Sequence, residues 1–500
     1  MRYFLVLICC STWALSTAND DLTSTPRIII VGAGSSGIAA ASKLFENGFT
    51  NVKVLEAENR IGGRIHSDYL VDMGAQWVDG EKDNVAFELA WPLGLIERFN
   101  ENNNFTIEYC GSSRSPLSEK ILEGLNDIQA TLDDFHNIDL SNLKSGSLGE
   151  FIDAKFNENF KNEPEMNASL QKSLLNMLNL MKMASDGANS WYDLSAKKLR
   201  DYPDCEGDSV INWKNRTYST ILDVLMKKIP NPEDELPVLN NTNTNSKVIK
   251  INYNGDSAPV KISTADEKEY LADHVIFTSS LGVLKANHEQ LFDPPLPEKK
   301  ISTIKNLGFG HSAKIWLYYD NPWWYSDENK QINGKILFWT EDDRKKIENI
   351  PEKKWILGIA GFFPVEHRPK TLCIWMASNH SIEMESIPED MMRNEIVELM
   401  NKFFGHEYNI TEPTEIKRTL WNTNENFRGI YSYHGLQTDA TNINNADLAE
   451  PIMQNDKPIL QFAGEATSEH YGTVNGAIES GWREANRLIN LYANKTLLKN

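Results

Sequence analysis

Basic charge is in short supply in this 500-residue chain: 50 Lys and Arg stand against 70 Asp and Glu, a formal net charge of −20. Binding to a phosphate backbone wants a basic face, so nucleic acid is excluded as a partner. A cationic small molecule is compatible with the same balance. Cysteine is scarce as well. Of five cysteines, Cys9 and Cys10 fall at the extreme N-terminus, which leaves Cys110, Cys205 and Cys373, an odd number. One disulfide and one free thiol is the most that count allows, no pairing can be read, and the spacings suit no zinc site. No metal is expected. Beyond the N-terminus there is no apolar run of about 18 residues, so no stable membrane span is expected. Internal repeats are absent, and nothing in the sequence speaks to oligomeric state. What remains is an ordinary globular composition, 41% hydrophobic and 24% charged, long enough for two or three domains.

The first eighteen residues read as a secretory signal. Arg2 supplies the positive start, Tyr3–Cys10 with Trp13–Leu15 the apolar stretch, and Ser16-Thr17-Ala18 a small-residue cleavage site. Asn-x-Ser/Thr occurs at Asn104, Asn167, Asn215, Asn240, Asn379, Asn409 and Asn494, each a candidate glycosylation site if the chain is exported. A secreted, extracellular product is the expectation.

Residues 28–57 carry the densest signal. Ile28–Val31 predicts a buried strand, and Gly32, Gly34 and Gly37 give the spacing GxGxxG. A helix follows over Ile38–Glu46, and a second strand, Val52–Leu55, ends at Glu56. Gly32 permits the turn, Gly34 lets a pyrophosphate approach the backbone, and Gly37 lets helix and strand pack closely. The helix N-terminus offers free N–H groups to phosphate. Glu56, 19 residues past Gly37, is placed to accept from ribose hydroxyls. The predicted ligand is a dinucleotide.

Arg60-Ile61-Gly62-Gly63-Arg64 comes directly afterwards. A second glycine pair between two arginines suits the extended FAD, whose phosphates need further backbone contact. The run EAENRIGGRI resembles the signature of the flavin-containing amine oxidases. Near the C-terminus, FAGEATSEHYGTVNGAIESGWREANRL (Phe462–Leu488) is similar to that family's flavin-closing motif. DHVIFTSSLGVLK, ending at Lys285, is similar to a segment that returns to the FAD domain. The resemblance implies an α/β chain in which a FAD-binding, Rossmann-like domain (25–90, 205–300 and 450–492) is interleaved with an α+β substrate-binding domain (91–204 and 301–449). It implies cofactor contacts at Gly464, Glu465, Thr473, Val474 and Val248. FAD is expected to be non-covalent, because Ser468–Tyr471 holds no cysteine.

The same resemblance bears on chemistry. Within it, the chain is closest to polyamine and spermine oxidases, which implies polyamine oxidation with O2 as acceptor and peroxide as product. Lys314, opening the strand KIWLYY, matches a lysine that holds a water at the flavin. Tyr471 matches an aromatic facing the substrate amine, a face that attracts cations. WNTNENFRGIYSY (Trp421–Tyr433) would bring a second aromatic, Phe427, although Asn426 contests that position. Asp79 stands in WVDG where animal relatives have histidine and secreted plant enzymes a glutamate, and a carboxylate there favours a nearby ammonium. The acidic run DYPDCEGD holds Asp201, Asp204, Glu206 and Asp208. Asp201 and Asp204 are candidate polyamine contacts, and a solvated acidic loop accounts for the run equally well. A secreted L-amino-acid oxidase, or a flavoprotein without activity, remains the alternative.

Overall fold

The computed structural model describes residues 25–68, 71–98, 106–254, 259–324, 334–365 and 368–497. The expected leader, 1–18, and Asn104 lie outside the described residues, as does the Asn494 side chain. Among the described residues no helix is long and apolar enough to cross a membrane.

Two six-stranded sheets organise the chain. The first runs Ile452–Gln454, Lys457–Phe462, His274–Phe277, Ile28–Val31, Val52–Leu55 and Thr242–Asn243 in spatial order. All pairings in it are parallel except the hairpin at 452–462. Side chains on a strand alternate between faces, and both faces are buried here. Ile28, Ile30, Val52 and Val54 enter one core beneath the Ser35–Glu46 helix. Ile29, Val31, Leu55, Val275 and Phe277 enter the other. This double burial explains why the strands read as continuous apolar runs rather than alternating ones. The closing helix, Val474–Leu497, packs on Ser35–Glu46 so tightly that a Cβ on Gly481 would stand 2.2 Å from the Ser36 carbonyl oxygen.

The second sheet runs Glu415–Arg418, Ser312–Tyr318, Arg368–Ala377, Ile359–Val365, Gly334–Phe338 and Ile107–Gly111. It is antiparallel except for its last pair. The Glu389–Phe404 helix covers one face through Met392, Ile396, Met400 and Phe403. Helices Glu119–Asp133, Leu148–Phe160 and Ala168–Asp186 cover the other. The architecture is therefore α/β, a Rossmann-like unit interleaved along the chain with an α+β unit.

Two local expectations differ from what is found. A strand is predicted over Trp355–Phe363, but Pro351–Gly358 forms a tight helical turn and the strand starts at Ile359. Pro351 fixes the first turn, and Trp355 turns inward to donate from Nε1 to Glu395 at 2.5 Å. The Asn-rich run Asn240–Ser246, expected as a loop, contributes the edge strand Thr242–Asn243. Backbone pairing alone recruits it, with Glu56 N donating to Asn243 O at 2.8 Å, so no side-chain pattern announces it.

Gly37 has the least room of the three fingerprint glycines: a Cβ there would lie 2.0 Å from the Gly32 carbonyl oxygen. Gly37→Ala is expected to force the helix off the strand, costing on the order of 3 kcal/mol, and to lower the thermal unfolding midpoint measured by circular dichroism. An unchanged midpoint would show that the contact relaxes without cost.

Candidate functional site

A single cavity of about 1840 Å³ joins the two units. One end is built by the fingerprint. Gly32 has φ +104° and tucks under Thr278, while Gly34 caps the Ser35–Glu46 helix with no side-chain capping bond. A Cβ on Gly34 would point into open space, its nearest neighbour being the Gly62 carbonyl oxygen at 4.0 Å. Any side chain there would fill the cradle, which is the shape a pyrophosphate needs in order to reach the helix N–H groups. Gly62 and Gly63 have φ +99° and +58°, and Gly63 lies against Gly34, so the second glycine pair extends the cradle laid down by the first. Glu56 lines the cavity with a buried carboxylate that accepts from Ala33 N at 2.6 Å and Glu58 N at 2.8 Å. Burial raises its pKa, against the pull of those two bonds. Val248, Gly464, Thr473 and Val474 line the same space, and the closing helix starts at its wall. Two helix N-termini thus face one cavity, and the residues fit a bound dinucleotide such as FAD.

Arg64 and Glu465 form the junction between the ends. Arg64 Nη1 bonds Glu465 Oε1 at 3.0 Å and also donates to the Ile430 carbonyl. Glu465 Oε2 accepts from Ser432 Oγ at 2.6 Å, Gly472 N at 2.9 Å and Ser432 N at 3.3 Å. Glu465 is only 4% exposed. Every arm of this carboxylate is therefore satisfied by protein.

The other end is aromatic and acidic. Tyr471 stacks on His434, rings 4.4 Å apart and 9° from parallel, and meets Tyr202 edge-on at 4.8 Å. Tyr202 Oη donates to the Tyr471 carbonyl at 3.0 Å. Burial drives His434 down to about 4, so it stacks as a neutral ring, and Nε2 is held by Asn445. Tyr431 comes up beside Gly472, where an added Cβ would lie 3.5 Å from its ring. Trp77 stacks on Trp375 at 5.6 Å, and Lys314 Nζ lies 4.7 Å from the Trp375 ring centre.

Lys314 is buried and donates to Gln76 Oε1 at 2.7 Å, Gly74 O at 2.9 Å and Asp72 O at 3.3 Å. Three acceptors use all three ammonium protons. Burial pulls the group down to about 8, so its neutral form is within easy reach. That form has two protons and a lone pair, which frees Nζ to accept from a water. Asp79 presents its accessible face to the cavity lining, and burial pushes its carboxyl up to about 6, with Asp204 and Asp208 adding repulsion. Asp204 lines the cavity too and bonds His136 Nε2 at 2.7 Å.

Several sequence expectations find a different place. Asp201 is not part of the lining; it pairs with Arg200 at 2.9 Å on the surface, where the short side chain is turned outward. Glu206 pairs with Lys82 in solvent. Arg60 does not line the cavity either, but lies 5.9 Å from the Phe427 ring centre. Phe427 does reach the cavity lining, and it packs edge-on to Trp421 at 5.1 Å in a cluster with Val71 and Met73. Asn426 turns to Glu58 at the nucleotide end. The aromatic that approaches Tyr471's loop is Tyr431, a residue missed by sequence reading, as were Tyr202, His434 and Trp375. The alternation Tyr431-Ser432-Tyr433-His434 was the available signal: a two-residue period puts Tyr431 and Tyr433 on one side. Among the described residues Cys110, Cys205 and Cys373 are free thiols. Among the expected glycosylation sites, Asn167, Asn215, Asn240, Asn379 and Asn409 are all exposed.

Comparison with known proteins gives a consistent picture. A family model described as flavin containing amine oxidoreductase matches residues 35–489. A peroxisomal N(1)-acetyl-spermine/spermidine oxidase of Bos taurus is 26% identical over 497 residues, covering 93% of this chain and 95% of that protein. A probable polyamine oxidase 5 of Arabidopsis thaliana is 26% identical, covering 93% of this chain and 98% of its own. Protein anon-37Cs of Drosophila melanogaster is 27% identical, covering 93% and 91%.

Removing one partner of a buried ion pair leaves the other charge uncompensated, at about 3–5 kcal/mol. Glu465→Gln is therefore expected to strand Arg64 and yield protein with less than half the wild-type ratio of bound nucleotide to polypeptide, read by absorbance after purification. Full retention would show that the junction is dispensable for binding.

Proposed function

The chain belongs to the flavin-containing amine oxidoreductase family, and from that premise we propose that it is a polyamine oxidase. Its substrate would be spermine, spermidine or an acetylated form, and its products an aldehyde, an amine and hydrogen peroxide. The observation that carries this reading is Asp79, a carboxylate turned into the cavity with Asp204 close enough to raise its pKa. An acid-lined, aromatic-walled chamber suits a chain of ammonium groups. It suits an amino-acid carboxylate poorly: of the two arginines in the lining, Arg64 is committed to Glu465, and Arg428 is exposed and shares its charge with Glu425.

When bound, FAD supplies the two-electron acceptor for amine oxidation and passes the electrons to O2. The protein's own contribution is positional. Tyr471 and Tyr431 offer ring faces to the amine being oxidised. Asp79 and Asp204 hold ammonium groups elsewhere on the substrate, which fixes the carbon presented for reaction. Lys314 holds or releases a proton at Nζ near neutral pH, and in its neutral form positions a water for imine hydrolysis. Ser468–Tyr471 offers no thiol for a covalent tether, and the thiols that do line the cavity, Cys205 and Cys373, are pushed up to about 11 and about 12 by burial. Both observations support non-covalent FAD. The leader-like sequence of the first eighteen residues and the exposed sequon asparagines support a secreted glycoprotein.

Protein for the decisive experiment is taken from the culture medium of secretory cells, and failure to accumulate there would itself sink the secretory reading. Anaerobic mixing with spermine, spermidine, an N-acetylated polyamine and L-leucine follows the visible flavin absorbance. Bleaching by a polyamine and not by leucine is expected. Bleaching by leucine alone would replace the proposal with an amino-acid oxidase, and a protein that nothing reduces would leave a binding role.

A pH dependence follows from Asp79. Its folded-state pKa is raised to about 6, so the group is neutral below that value and charged above it. KM for a polyamine is expected to fall as pH rises through about 6. In Asp79→Asn, KM should be roughly tenfold higher at neutral pH and lose that dependence. A KM profile identical in both proteins would remove Asp79 from substrate recognition.

A further inference from the structure

Two lines of contact run from one short turn, Glu465–Thr467, to the same cavity-lining ring. The first ends on backbone. Glu465 Oε2 accepts from Gly472 N at 2.9 Å, which fixes the residue directly after Tyr471. The second runs through side chains. The Ala466 carbonyl accepts from Asn445 Nδ2 at 2.8 Å, Asn445 Oδ1 accepts from His434 Nε2 at 2.5 Å, and the His434 ring lies on Tyr471. Residues 432 and 434 fall on one side of an extended run, as a period of two requires. Ser432 reaches Glu465 and His434 reaches Asn445. The His434 carbonyl in turn accepts from Ser195 N at 3.2 Å, so the histidine is held at its backbone as well.

The side-chain route has a direction. The Asn445 amide nitrogen is spent on Ala466, so its oxygen faces the histidine, and Nε2 carries the ring proton. One N–H on one carbonyl oxygen stops the imidazole from turning. His434 and Asn445 are both buried. Packing alone does not ask for them, because a buried polar group is costly unless it is bonded, and two apolar side chains would fill the space without that demand. What a fully bonded polar pair adds is a single orientation. Here the orientation is handed on to Tyr471, whose ring sits 9° from parallel with the imidazole at 4.4 Å. Tyr471 itself is half-buried and lines the cavity, so the plane of its ring sets the direction from which a ligand meets it.

We propose that His434 is a positioning residue for amine oxidation: oriented by Asn445, it covers one face of Tyr471 and fixes the plane in which that ring meets the substrate. An amine held against a fixed plane presents one carbon for reaction, and a ring free to tilt does not hold it there. Burial keeps the imidazole uncharged, so its flat shape does the holding, and another flat ring can take its place. This inference rests on the reading of the chain as an amine oxidase in which Tyr471 faces the amine. It adds to that reading a residue which the cofactor and acidic motifs do not mark.

The test is the rate of flavin reduction at saturating spermidine, followed by anaerobic stopped-flow absorbance on the FAD-loaded protein. His434→Leu, which fills the site without a flat ring, should slow reduction about 10- to 100-fold. His434→Phe should recover most of that loss, to within about threefold of wild type. Asn445→Leu should slow the wild-type protein about tenfold but the His434→Phe protein less than about twofold, because a phenyl ring has no N–H to lose. Equal rates in His434→Leu and His434→Phe would show a mere space-filler. Equal slowing by Asn445→Leu in both backgrounds would show that Asn445 acts through Ala466 alone. Either result overturns the proposal. If His434→Leu does not fold, the two Asn445→Leu measurements still decide it. The wild-type reaction separates this inference from the reading beneath it. Wild-type protein reduced by L-leucine and not by spermidine would overturn the polyamine assignment alone, and the same series is then read with leucine. Wild-type protein reduced by spermidine, with every variant reduced at the same rate, would overturn the role of His434 alone. Wild-type protein that no amine reduces would overturn both.

Discussion

The carboxylate of Glu465 is the constraint on which the site depends. It is buried, and it takes donors from three separate pieces of chain: Arg64 of the second glycine loop, Ser432 of the aromatic segment, and Gly472 ahead of the closing helix. A buried carboxylate without those partners would be intolerable in the fold. Folding therefore has to bring all three pieces together, and in doing so it sets the nucleotide cradle against the aromatic wall. The geometry of the chamber is a consequence of satisfying one charge.

Charge is also what shapes the opposite end. Asp79, Asp204 and Asp186 line the cavity, and burial raises the pKa of the first and the last. Lys314 is displaced in the contrary direction by the same physics. Desolvation acts on both signs, so the chamber holds acids and a base close to neutrality rather than fully committed. A cationic substrate entering such a space supplies the charge that the protein's own interior withholds.

Much of this was legible in the sequence because local chemistry demanded it. The strands Ile28–Val31 and Val52–Leu55 fall where the apolar runs place them, and Gly32, Gly34 and Gly37 each meet the steric need that their spacing announces. Lys314 reached the cavity only through the resemblance, since a lysine opening a strand ordinarily faces water. What could not be read turned on which partner each side chain meets in space. Asp201 and Asp204 are three residues apart in one acidic run, but Arg200 draws the first outward and His136 holds the second at the cavity. Tyr431 was passed over for Phe427 because the choice between them turns on Gly187 and Gly472, remote in sequence and close in space. Thr242–Asn243 forms a strand for backbone reasons alone, which no side chain records.

The order of strands in the first sheet bears on how the molecule comes into being. Ile28–Val31 lies between Val52–Leu55 and His274–Phe277, and the latter is flanked in turn by Lys457–Phe462. The centre of the nucleotide-binding sheet is thus shared between the beginning, middle and end of the chain. As synthesis proceeds from the N-terminus, the fingerprint strand emerges first and waits more than 200 residues for its second neighbour, His274–Phe277, and the sheet waits more than 400 for Lys457–Phe462. Contacts of such sequence separation form slowly and leave apolar edges open in the meantime. The cradle for the cofactor is therefore among the last features to be completed, and the apolar strands at its heart depend on protection by other means until the polypeptide is finished.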